Sequence, residues 1–150
     1  MNKESEAAAW HEAGHAIVSQ SIGLDVLQVT LEVTPHGCQG GTVCDICTSD
    51  NTKSIIGCIG GLAGEYLYYM RNIRKMPKRI DRSKLSKGCE HDLDKLKVLD
   101  DDKLDQCMQL AITIIQRHKP IYMQTVNTLL SDHQISGTTI KQAIQADGVF

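Results

Sequence analysis

The sequence predicts a mainly α fold with a small β-sheet, an α+β arrangement. Three observations carry this. Helix-forming stretches with recognisable ends open and close the chain. One run of strict apolar–polar alternation follows the first of them. Four glycines then recur at helical spacing, a pattern that asks for a second helix packed close by.

The first helix is expected from about Lys3 to Ile22, with Glu4 and Glu6 in its first turn, Ala7 to Ala9 as strong formers, and Gly23 at the C-cap. Leu27, Val29, Leu31 and Val33 alternate with Gln28, Thr30 and Glu32, which reads as a half-buried strand. Pro35, Gly37, Gly40 and Gly41 read as a loop, with Thr42 to Ile46 as a second, shorter strand. Ser49-Asp50-Asn51-Thr52 offers N-caps for a helix to about Met70. In it Gly57, Gly60, Gly61 and Gly64 share one face, at a propensity cost of roughly 3–4 kcal/mol against alanine. Close approach of the first helix is the expected compensation. Arg71 to Lys87 is a basic, turn-prone stretch holding half of the 16 Lys and Arg, and reads as a solvated flexible loop. An acidic helix from Cys89 to Leu99, a long one from about Asp101 to His133 kinked near Pro120, and a short one from Thr138 to Ala146 complete the chain.

At 150 residues the expectation is one domain, residues 1–150. Apolar residues make up 41% and charged residues 23%, ordinary globular values, so aliphatic side chains must fill the core where aromatics are only 4%. A net charge of −2 argues against nucleic acid as a partner. The charged start has no signal-peptide character, and no stretch approaches 18 uncharged apolar residues. A cytoplasmic protein without a transmembrane segment is expected. Its six cysteines then read as free thiols.

His11-Glu12-Ala13-Gly14-His15 carries the chemistry. Two histidines four apart stack on one helix face and can share a metal ion. Glu12 follows the first and reaches water at that ion without being a ligand, as a general base must. With six His and six Glu in the chain, chance would place this motif in roughly one such sequence in a hundred. A catalytic zinc needs a third protein ligand. Other histidines stand at 36, 91, 118 and 133, and the carboxylates to weigh are Glu65, on the glycine-rich helix, and Asp92, in the acidic one. Spacing leaves Glu65 and Asp92 open.

Ala8 to Ala16, the strand Val29-Thr30-Leu31, Gly40-Gly41-Thr42, Gly60 to Glu65, Gly88 to Leu93 and Ile135-Ser136-Gly137 together resemble the peptidase domain of FtsH-type, AAA-linked zinc metalloproteases. The likeness runs in order along nearly the whole chain, with HEAGH its most specific part. It implies a zincin-like fold, the HExxH helix packed on the glycine-rich helix and the helices of the C-terminal half behind. It also implies one Zn2+ per chain held by His11, His15 and Asp92, with Glu65 next to the ligands. Short antiparallel strands would form a substrate edge over Gly40 to Ile46, including Gly40, Gly41, Thr42 and Val43, to which a peptide or unfolded protein adds. No GxxxxGK[ST] phosphate loop occurs, so that ATP-hydrolysing machinery is missing from these residues. The resemblance therefore implies a stand-alone, ATP-independent zinc endopeptidase, a hydrolase of the HExxH class. The alternative is a catalytically silent, metal-stabilised peptide-binding or accessory module of a larger protease. Oligomeric state is left open.

Overall fold

The first helix, α1 (Lys3–Ser21), lies at the centre of the molecule. The computed structural model describes residues 3–44, 51–70 and 99–148. Its order is α1, β1 (Val26–Thr34), β2 (Gly37–Cys44), α2 (Asn51–Met70), α3 (Asp101–Arg117), α4 (Lys119–Asp132), β3 (Gln134–Ser136) and α5 (Gly137–Asp147). This is a mainly helical fold with a three-stranded antiparallel sheet in the order β2-β1-β3. The basic stretch 71–87, the acidic helix expected from Cys89 and the far end of the expected second strand, at Ile46, lie outside the described residues.

Helix α1 is buried nearly all round because it packs against α2, the sheet, α3, α4 and α5. It stops where expected. Gly23 adopts φ +90° while the Leu24 N–H donates to the Ser19 carbonyl at 2.9 Å, closing the helix and turning the chain into β1. Against α1 lies the glycine face of α2. A Cβ on Gly14 would strike the Gly60 backbone, and one on Gly60 would stand 2.6 Å from the Gly14 carbonyl oxygen. The two backbones touch, so dispersion contacts of the helix pair offset the poor propensity.

Two expectations about strands need correction. The alternation is broken at Leu27, an extra residue opposite the step from Cys44 to Val43. This bulge turns Val26 inward and leaves Leu27 56% exposed, while Val33, near the hairpin tip, is 48% exposed. Only Val29 and Leu31 keep their predicted burial. The expected loop of Gly37 to Gly41 is the first half of β2, paired with β1 from Thr34↔Gly37 onward. Glycine composition reads as loop, but Gly40 serves close approach to the Glu12 side chain. The expected long C-terminal helix is two helices divided at His118, because Pro120 has no N–H for the Gln116 carbonyl; the Tyr122 N–H resumes the ladder with the His118 carbonyl. Strand β3 follows His133, which caps α4 with φ 63°.

Candidate metal centre

His11 and His15 lie one turn apart on α1, on the side that meets α2. Their outer ring nitrogens are occupied. The His11 Nδ1 is 3.1 Å from Glu65 Oε2, and the His15 Nδ1 is 2.9 Å from the Gly57 carbonyl oxygen. A carboxylate and a carbonyl only accept, so both Nδ1 atoms carry the hydrogen. The inner nitrogens face each other, with Nε2 2.9 Å from Nε2. Two ring nitrogens that converge in this way can take one metal ion between them. Two nitrogens on a tetrahedral zinc at about 2.1 Å stand roughly 3.4 Å apart. The pair needs to open by only about half an ångström, so the residues fit the ion. Across from it is Gly61, where a Cβ would come within 2.7 Å of His11 Nε2. The site is walled by a backbone with no side chain to obstruct it.

Glu12 is 7% exposed and its carboxylate meets β2 of the sheet. Its Oε2 accepts the Thr42 hydroxyl at 2.7 Å, and Gly40 lies so close that a Cβ there would stand 2.6 Å from Glu12 Oε1. Cys38, Gly40 and Thr42 share the face of β2 that turns to α1. The Cys38 thiol is pushed up from its usual value by burial, against a hydrogen bond with Ser5 and with a smaller upward push from the Glu12 and Glu4 carboxylates. A neutral thiol therefore stands beside Glu12 at neutral pH.

No protein-family model matches this chain, and no curated protein matches it either. The site must be read from its own geometry.

Of the residues singled out in the sequence, the fold brings His11 and His15 together with Glu65, and seats the Glu12 side chain against Gly40 and Thr42. Val43 is 56% exposed on the opposite face of β2. Asp92 lies outside the described residues, as does His91. The other histidines stand apart from the pair: His36 is exposed in the hairpin turn, His133 caps α4, and buried His118 contacts Asp147 at 3.0 Å. Among the described residues no group of three His, Cys, Asp or Glu side chains converges as a ligand set. Sequence reasoning missed the Gly57 carbonyl on His15, which leaves no side-chain signal. It also missed the Thr42 hydroxyl on Glu12, because Thr42 reads simply as strand. No described helix is long and apolar enough to cross a membrane.

Proposed function

We propose that this chain is a zinc-dependent, ATP-independent endopeptidase of the FtsH-peptidase type, acting on flexible or unfolded polypeptides. The observation that carries the reading is the pair of histidine Nε2 atoms 2.9 Å apart with both Nδ1 atoms engaged, one residue from a buried glutamate. A structural zinc site needs no such base beside it.

His11 and His15 would hold the ion, with Asp92 as the third ligand that the resemblance implies. When bound, zinc supplies a Lewis acid that makes water more acidic and polarises a peptide carbonyl. Glu12 takes the proton from the attacking water and returns it to the departing amine. Glu65 holds the His11 ring in the tautomer whose Nε2 is a ligand. The backbone of Gly40 to Val43 offers the sheet edge opposite β1 for an extended substrate, which gives main-chain hydrogen bonds without sequence preference.

Metal per chain by elemental analysis, with hydrolysis of an unfolded protein such as casein, tests the reading. Wild type is expected to carry about one zinc per chain, Asp92→Ala to lose most of it, and Glu12→Gln to keep the metal and lose turnover. Turnover persisting in Glu12→Gln overturns the mechanism. Zinc bound without turnover in wild type replaces the enzyme by a metal-stabilised peptide-binding module.

A further inference from the structure

From the contacts of β2 we infer that Thr42 is the positioning residue for the general base: its hydroxyl, with the bare backbone of Gly40, holds the Glu12 carboxylate in its working orientation. The inference deepens the endopeptidase reading and rests on it for its activity readout.

Glu12 is a long side chain on a helix, and nothing in its own backbone fixes where the carboxylate points. The Thr42 Oγ1 lies 2.7 Å from Glu12 Oε2 and 3.3 Å from the Glu12 carbonyl oxygen. A hydroxyl has one hydrogen, and the shorter, charged partner takes it. That bond fixes one carboxylate oxygen. Two residues back on the same face of β2, Gly40 lies against Cγ and Oε1 of the same side chain. Any Cβ at Gly40 would displace the carboxylate that Thr42 holds. A donor at one position and a missing side chain at the other thus define a slot. The strand and the base are fitted to each other across 30 residues of sequence.

The placement separates binding from chemistry. The Thr42 side chain faces α1, whereas a polypeptide adding to β2 pairs through the strand's backbone at the edge away from β1. Loss of the hydroxyl is therefore expected to lower turnover without weakening substrate capture. Misplacing a reacting group by about an ångström costs on the order of 100-fold in rate.

The test compares wild type, Thr42→Val, Thr42→Ser and Gly40→Ala for kcat, KM and zinc per chain. Thr42→Val, which keeps the shape and removes the donor, is expected to lose about 10- to 100-fold in kcat with KM within about twofold and zinc unchanged. Thr42→Ser is expected to restore kcat to within a few-fold of wild type, and Gly40→Ala to behave like Thr42→Val. An unchanged kcat in Thr42→Val overturns the inference, as does a loss that serine fails to rescue or that accompanies loss of zinc. If wild type hydrolyses nothing, the endopeptidase reading fails and the positioning role is judged on crystal structures of wild type and Thr42→Val. A Glu12 carboxylate that turns out of the slot in the variant upholds the role, and one that stays overturns it.

Discussion

Gly61 stands nearer to the two histidine side chains than a residue with a Cβ can. A methyl group there would meet both Nε2 atoms, which are the far ends of side chains and can swing away. Gly61→Ala is therefore expected to leave the helix pair assembled and to spoil the place where the nitrogens converge. Its zinc affinity, measured by competition with a chelator, should fall by about 10- to 100-fold, the range seen when groups supporting a metal site are disturbed. Glycines at 57, 60, 61 and 64 read alike in the sequence, as one packing face. Only the fold separates Gly61, facing the imidazoles, from Gly60, facing backbone. The histidine pair and Glu12 were legible because the helical period alone puts them in relation. Their partners come from residues far along the chain, whose direction no local pattern encodes.

At the scale of elements, the α1–α2 contact is backbone on backbone, and backbone cannot swing aside. Gly60→Ala is expected to destabilise the fold by about 1–3 kcal/mol in urea unfolding, overpacking outweighing its gain in helix propensity. Gly41→Ala is the control. A Cβ there finds the Thr30 hydroxyl at 3.5 Å, an ordinary contact, so stability should stay within about 0.5 kcal/mol of wild type. The first two helices were readable from end to end: α2 runs from Asn51 to Met70 with its glycine face against α1, and α1 stops before Gly23. The strands were less so. A bulge at Leu27 shifts the inward position by one residue, and periodicity cannot announce a shift. Gly37 to Gly41 hid the start of β2, since glycines read as loop and the close approach of Gly40 to Glu12 is a tertiary fact. Three residues of β3 are too few to show a period.

Across the whole molecule, Tyr122 ties α4 to α1. Its hydroxyl donates to the Trp10 carbonyl at 2.8 Å, and Trp10 meets the Tyr122 ring edge-to-face at 5.7 Å. Complete burial pushes this phenol well above its usual value of 10.0. The folded state keeps the proton where the unfolded chain gives it up, so stability falls as pH rises past about 10. The slope for this group is about 1.4 kcal/mol per pH unit. Tyr122→Phe is expected to lose about 1 kcal/mol at pH 7 for the missing hydrogen bond. In urea melts between pH 7 and 11 the variant should approach wild type at the alkaline end, and a gap that stays constant with pH would count against the buried phenol.

β1 sits between a neighbour that follows it at once and one that arrives late, with Gln28 opposite Ser136. During synthesis, the hairpin of β1 and β2 and both histidines leave the ribosome long before the segment that completes the sheet. Closing so large a loop comes at an entropic cost that local hairpin contacts do not carry. A nascent chain halted before residue 134 would hold the His11-to-His15 motif yet expose one side of β1 to any other extended segment. The last strand to be made is thus the one that covers this side of β1 against a stranger's strand.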